Sequence, residues 1–457
     1  MSDARGQGDA TPWSSSHARR RAERVFHVQV QRNLTRNYLA HLAHGMLGQT
    51  GFRLINAPTF LPAYIMLLSG GSELAVGLAL SLQAFGMTLT PLLGANLIEH
   101  RRQVLPVGFL TGGAMRLMVL CMAVSGLVLP APMALIALLT FMALLGLFQG
   151  MQGVIFNFLM SKVIPVSKRG RLTGLRNFLA GITSAGVAWL GGKYLIGDVP
   201  TATGYSYTFL LAFVLTSLGL LALLFMREPE TPAVKPDISL RDRLRQLPAM
   251  MEEDPAFSRY VMARALATMG RMALPFYILH ASNDIGLSGA TLGIMTVAFT
   301  LSGTVSNLVW GALADWRGFR LAFLCAIGLW ILATLLLMYS GGMTATILVF
   351  AGIGAAVQGF QNASMNLTLE FGQREDLPVR IAVANTVSEV AGTLGPLLGG
   401  ALAATLGYPA VFATSMIFLI VGGAVVNYYV PEPRPRRSMA KPKFLGGLRS
   451  KRTKSRR

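Results

Sequence analysis

Charge is what this sequence has least of. Only 13% of its residues are Asp, Glu, Lys or Arg, against about 25% in soluble domains. With 53% hydrophobic residues, such a chain cannot cover its own surface with polar groups, and an ordinary soluble globule is excluded. Cysteine is nearly absent. Cys121 and Cys325 are the two, both inside apolar runs, which excludes a disulfide framework and a cysteine metal site and leaves them as small hydrophobes. No Gly-x-x-x-x-Gly-Lys-Ser/Thr sequence occurs, so a phosphate-cradling P-loop is excluded and ATP is not the expected driver. No Ser-His-Asp set, metal cluster or paired acids falls inside an apolar run. The pair Glu252-Glu253 sits in a polar stretch and reads as plain charge. The chain is therefore not expected to be an enzyme or to carry a metal or cofactor. A cleavable signal peptide is not expected either. The first apolar stretch begins near Tyr38, after Arg19, Arg20, Arg21 and Arg24, too late for a cleavable leader, so the first helix is expected to stay in the membrane.

What the sequence does have is long apolar runs. A span needs roughly 20 mostly apolar residues, and in lipid such a run must be helical. Twelve are read, at about 38–68, 73–98, 103–128, 132–162, 172–195, 205–226, 258–281, 287–313, 320–340, 344–370, 380–404 and 409–430. The net charge of +20 does not mark a nucleic-acid partner. The segment Pro431–Arg457 holds eleven Lys or Arg and one Glu, and the loops after the even-numbered spans carry Arg101, Arg102, Lys168, Arg169, Arg171, Arg241, Arg243, Arg245, Arg317, Arg320 and Arg374 while the opposite loops are nearly free of Lys or Arg, as in cytoplasmic loops of membrane proteins. The rule that positive loops stay inside then puts both termini in the cytoplasm. Five sections follow: a basic N-terminal tail (1–37), a six-helix bundle (38–227), a charged, Pro-containing linker (228–257) with a short surface helix near Leu240–Leu247, a second bundle (258–430), and a basic tail (431–457) expected against anionic lipid.

The two bundles repeat. Gln149-Gly150-Met151-Gln152 with Asn157 in the fourth span matches Gln358-Gly359-Phe360-Gln361 with Asn366 in the tenth. Asn177 and Asn385 correspond again after the next loop. The second and eighth spans end alike, in Glu99-His100-Arg101 and Asp315-Trp316-Arg317. The stretch Gly311-Ala312-Leu313-Ala314-Asp315-Trp316-Arg317-Gly318-Phe319-Arg320 resembles the loop signature of the major facilitator superfamily, with Trp316 where that family usually has Arg. The resemblance runs from about Tyr38 to Val430. It implies an all-α membrane protein of twelve helices in two pseudo-symmetric six-helix bundles, a parallel duplication. It also implies that the first, fourth, seventh and tenth helices line a central cavity. The Arg that drug–proton exchangers carry before the Gln-Gly pair is replaced by Gly146, and the Gly-Pro motif lies in the eleventh span (Gly395-Pro396) rather than the fifth.

Polar residues on the four lining helices are the expected solute contacts: Gln49, Arg53 and Asn56, with His41 and Gly45 on the same face of the first; Gln149 and Gln152 on the fourth; Arg271, with Arg264 and Thr268, on the seventh; and Gln358, Gln361 and Asn362 on the tenth. Steps of three and four keep each set on one helical face. Arg53 and Arg271 fall about 20 Å into the bilayer, where a charge costs at least about 2.5–3.5 kcal/mol. With Arg116 and Arg264 they outnumber the one clearly intramembrane acid, Glu389. Guanidinium groups bind carboxylate and phosphate in pairs, and one Arg from each half resembles the clamp of organophosphate–phosphate exchangers. The blander readings are ion pairing with Glu389, helix-end capping, and, for Arg116, a purely structural role. Glu389 is the candidate for coupling to protons. Interfacial histidine is the expected role of His41 and His44. The resemblance assigns Asp315, Arg317, Glu99, Arg101, Arg171 and Arg380 to a gate bridging the halves on the inner side.

The expected activity is secondary transport of a small organic solute, an anion, by proton symport or exchange. Efflux of amphipathic drugs or metabolites is one alternative, and a non-transporting sensor that keeps the fold is another. A monomer in the bacterial cytoplasmic membrane, with anionic lipid at the basic tail, completes the expectation.

Overall fold

The computed structural model describes residues 12–88, 90–99, 101–230, 251–252, 254–339, 341–371 and 377–431. The expected surface helix near Leu240–Leu247 and nearly all of the basic C-terminal tail lie outside them, as do the side chains of residues 12–20, Ala22, Glu99 and 377–379.

Every described element is helical. In chain order they are α1 (Pro12–Arg32), α2 (Leu34–Asn56), α3 (Phe60–Leu68), α4 (Glu73–Thr88), α5 (Thr90–Glu99), α6 (Leu105–Val128), α7 (Ala131–Val163), α8 (Val166–Leu190) and α9 (Ala202–Ala222). After the linker come α10 (Pro255–Met269), α11 (Leu274–Ile285), α12 (Gly289–Arg317), α13 (Phe319–Tyr339), α14 (Met343–Thr368), α15 (Leu377–Leu406) and α16 (Tyr408–Tyr429). Local chemistry sets many of the boundaries. Thr201, Asp254 and Ser288 cap α9, α10 and α12 by accepting from the backbone N–H groups of Gly204, Phe257 and Thr291, replacing hydrogen bonds a helix start cannot make itself. Gly318, Gly342 and Gly407 turn the chain between helices at φ of 89°, 88° and 81°, a conformation in which a side chain is strained.

Nine described helical segments are long and apolar enough to cross a membrane. The pair α2 and α3, bent by 44°, makes a tenth. Helices also occupy the fifth and seventh expected spans, but the fifth falls short by composition and the seventh by length. Arg176 and Asn177 dilute α8, and a 3-10 turn at Gly270–Ala273 splits α10 from α11. Leu110 and Leu308, 75% and 77% exposed, belong to an apolar exterior that a soluble protein would have to cover. Inside, Tyr64 stacks on Tyr205 in the first half, and Tyr277 stacks on Phe412 in the second.

The repeat has a packing counterpart. A Cβ at Gly150 would meet Thr90 Oγ1 at 2.0 Å, and one at Gly359 would meet the Trp310 ring at 2.5 Å. Each glycine of the repeated Gln-Gly pair thus admits a side chain from the second span of its own half.

Candidate functional site

Two seams join the halves. In the first, a Cβ at Gly77 of α4 would come within 2.3 Å of the Pro396 carbonyl and 2.9 Å of the Gly400 Cα of α15. In the second, Gly181 of α8 packs on Thr304 of α12, and Gly192 abuts Gly289. The Gly289 N–H also donates to the Gly197 carbonyl at 2.8 Å. Thr59 and Thr296 hydroxyls lie 2.6 Å apart across the halves, and Tyr408 donates to the Glu73 carboxylate at 3.4 Å. These contacts cluster at one end of the bundle and reach its middle at Gly181–Thr304. Beyond that level the second seam parts. Gly170 and Gly174 continue the same face of α8, and Gly311 that of α12, yet a Cβ on any of them would meet nothing within 4 Å. The halves are therefore closed at the end carrying Glu73, Gly197 and Gly289, and parted at the end carrying the basic loops.

The expected gate residues sit at the parted end. Asp315 is exposed with no ion pair among the described residues, and the neighbouring Arg317 stacks over Trp316 at 4.3 Å. Arg101 Nε donates to the Leu97 carbonyl at 3.0 Å, and Arg171 is exposed. Glu99 closes α5. Arg380 is buried, but it pairs with Asp254 of its own half at 2.6 Å and lies over Phe257. Among the described side chains, Asp315, Arg317, Arg101, Arg171 and Arg380 are not brought together across the halves, which stand apart along this seam at this end.

The polar stripe of α2 is assembled as its periodicity predicts. Gln49 Nε2 donates to Asn177 Oδ1 at 3.0 Å. Asn56 accepts from Gln83 Nε2 at 3.0 Å, and the same amide donates to Gln149 Oε1 at 3.1 Å, joining α2, α4 and α7. Arg53 Nη1 reaches across the halves to Thr304 Oγ1 at 3.3 Å. Gln152 turns away from this group. It is buried and accepts from Thr111 of α6 at 2.7 Å. In the second half Gln358 donates to Asn362 at 3.4 Å, Asn362 donates to Asn307, and Gln361 is exposed. Arg264 donates to Thr368 and to Asn385, at 3.2 and 2.9 Å.

Arg53 and Arg271 both lie at breaks in the first span of their half. Arg53 is in the last turn of α2, before the bend, and Arg271 is in the 3-10 turn between α10 and α11. A cation there complements the negative end of the helix dipole. Broken helices at a mid-membrane site are a recurrent way for a transporter to expose backbone polar groups. Arg271 has no hydrogen-bond or ion-pair partner among the described residues, and neither has the Glu389 carboxylate, which lies near Gly392. Arg116, by contrast, is spent on structure. It donates to the carbonyls of Thr216 and Gly112, both at 2.7 Å.

Sequence reasoning missed Gln83, Thr304, Asn307 and above all Arg176, a fifth cation inside a span, which lies over Phe156 at 5.6 Å. It also missed the buried pair of Lys162 and Glu228 at 2.6 Å.

The sequence pattern of the Major Facilitator Superfamily matches residues 45–257 and 260–455. Among curated proteins, an uncharacterised MFS-type transporter of Mycobacterium tuberculosis is 30% identical over 144 residues, 31% of this chain and 24% of that protein. Multidrug resistance protein D of Escherichia coli is 27% identical over 184 residues, 38% of this chain and 45% of that protein. The chain thus spans less than half the length of each of these relatives. Two solved structures share the fold. A D-xylose–proton symporter superimposes with a TM-score of 0.68 at 14% identity, over 88% of this chain and 99% of its own. A nucleoside transporter gives 0.65 at 13% identity, over 85% and 98%.

Proposed function

Because the chain belongs to the major facilitator superfamily, we propose that it is a secondary transporter that carries a small organic anion by alternating access, coupled to protons or to a counter-anion. The observation that carries the anionic reading is an imbalance of charge. Arg53 and Arg271 stand at helix breaks, and neither pairs with an acid among the described residues. Guanidinium groups held this way fit a carboxylate or phosphate. Placing the basic loops in the cytoplasm makes the parted end the inner one, so the conformation is inward-open. Closure would then bring Asp315 and Glu99 towards the basic residues of the opposite half. Glu389, half-buried and without an ion pair among the described residues, is the proposed proton carrier.

The test is solute flux into proteoliposomes. Arg53→Gln and Arg271→Gln should each abolish uptake of an anionic solute while the protein still folds and inserts. Unchanged transport in both would sink the clamp. The second reading, export of amphipathic compounds, is favoured by the likeness to Multidrug resistance protein D. It predicts flux of cationic or neutral amphipaths that ignores both substitutions. Flux of any solute argues against a sensor.

A further inference from the structure

The polar face of α2 holds a group of donors that the fold leaves unsatisfied. His41 is fully buried, and neither of its ring nitrogens has a hydrogen-bond partner among the described residues. Arg176 enters from α8 and lies across Gly45, so closely that a Cβ there would come within 1.9 Å of its Cδ. The Arg176 Nε is buried with no acceptor among the described residues. Phe156 of α7 floors the site, its ring centre 4.7 Å from that of His41.

The charged and titratable groups around this spot are Arg176 from α8, Arg116 from α6, and His44 and Arg53 from α2. The helices α7 and α9 add none. His44 is satisfied by the Gly219 carbonyl of α9 at 3.0 Å, and Arg116 by the two carbonyls it holds. No acid pairs with any of the four among the described residues. Arg53 keeps one bond, to Thr304 at 3.3 Å, and Arg176 and His41 are the two with a fully buried ring or guanidinium nitrogen that finds no partner among the described residues. Buried donors without acceptors are rare and costly, so each one calls for an explanation. A guanidinium has donors only, and a neutral imidazole has one. The missing partner is therefore an acceptor and not a cation, and beside the charge of Arg176 an oxyanion is the acceptor that fits best.

We infer that Arg176, backed by His41, is a seat for an oxyanion, a carboxylate or a phosphate group, in the N-terminal half. This rests on the reading of the solute as an anion, and it moves the N-terminal half of the clamp from Arg53 to Arg176. Gly45 is part of the seat, since its missing side chain is what lets Arg176 lie against α2.

The test is a titration of the full chain in nanodiscs of zwitterionic lipid with inorganic phosphate and with succinate, read by melting temperature and by affinity. Removing Arg176 strands no partner, so Arg176→Gln should keep its unliganded melting temperature. Its affinity for the bound anion should fall by about tenfold or more, the loss of charge-assisted hydrogen bonds. Gly45→Ala, which keeps every charge but displaces Arg176, should show the same loss. Undiminished binding in both variants overturns the inference. Loss in Arg53→Gln and Arg271→Gln with retention in Arg176→Gln also overturns it and leaves the original clamp standing. Loss in Arg176→Gln and Arg271→Gln with retention in Arg53→Gln supports the seat as the N-terminal half of the clamp. If neither probe binds, nanodiscs containing phosphatidylglycerol distinguish a lipid source. A melting temperature raised in the native protein but not in Arg176→Gln assigns the seat to a headgroup, and no difference refutes it.

Discussion

Gly192 and Gly289 meet backbone to backbone across the two halves: a Cβ on the first would lie 2.1 Å from the carbonyl oxygen of the second, and a Cβ on the second 2.0 Å from that of the first. No real Cβ tolerates such a distance, and the atom it would strike is backbone, which cannot swing away. Alanine at either position should force the closed end apart while sparing each half. With the native cysteines removed, Thr59→Cys and Thr296→Cys, whose hydroxyls lie 2.6 Å apart, should form a disulfide readily. Adding Gly289→Ala should slow that reaction by about tenfold, a bias of about 1.4 kcal/mol towards the opposite conformation. An unchanged rate would mean that the seam adjusts locally and does not report on the state of the halves.

The pair of Lys162 and Glu228 supports a prediction about stability. Both side chains are nearly fully buried, 3% and 4% exposed. The carboxylate also accepts from the N–H groups of Val104, at 2.8 Å, and Leu105, at 2.7 Å, which start α6. Glu228 thereby ties the beginning of the linker to α6 and α7. Breaking a buried pair from one side leaves the other charge stranded, at a cost of about 3–5 kcal/mol. Lys162→Met and Glu228→Gln should each lower the melting temperature. The double variant should lose clearly less than the sum. Additive losses would show that the two residues act independently.

Asp254 predicts a pH dependence. Burial pushes its carboxyl upward, but the backbone N–H of Phe257, the Arg380 guanidinium and the Ala256 N–H outweigh that and hold it below the usual carboxylate range. A depressed folded value means that the stabilisation is complete above the ordinary pKa of about 3.9 and is lost as pH falls through the lower folded value. Asp254→Asn should therefore melt below the native protein at pH 7, and the gap should close below about pH 4. A gap that stays constant with pH would assign the effect to the hydrogen bonds of the cap rather than to charge.

Much of this fold is legible in the sequence, because a bilayer imposes simple rules. Apolar runs became helices, and the face of α2 marked by His41, Gly45, Gln49, Arg53 and Asn56 is where Gln83, Arg176 and Asn177 converge. Spacing failed where a step of three was read as one direction. Gln149 and Gln152 are about 60° apart around a helix. That is enough to put Gln149 against Gln83 and Gln152 in the seam with Thr111. Arg176 went unseen because it sits on the fifth span, outside the four helices that the resemblance marks as lining. The expected gate has no counterpart in this conformation, where Arg380 pairs instead with Asp254 of its own half. A sequence encodes both states, and the structure holds one.

Gln83 carries the last prediction, and it separates positioning from stability. Its amide is buried and donates to both Asn56 and Gln149, at 3.0 and 3.1 Å. Replacing it with Leu removes both bonds and leaves two side-chain oxygens without their donor. In the interior of a water-soluble protein such orphans cost about 1–3 kcal/mol. Between membrane helices measured hydrogen bonds average only about 0.6 kcal/mol, since competing partners are found within the bundle. The melting temperature of Gln83→Leu should therefore change little. Asn56 and Gln149 would no longer be oriented, and in proteoliposomes the apparent affinity for the solute should weaken several-fold more than the maximal rate. Gln83→Glu keeps two acceptors but cannot donate while ionised, so it should not rescue affinity at neutral pH and should do so as the medium is acidified. If Gln83→Leu instead melts early with its affinity intact, the amide is a strut between α2, α4 and α7, and the solute does not read the orientation of Asn56 and Gln149.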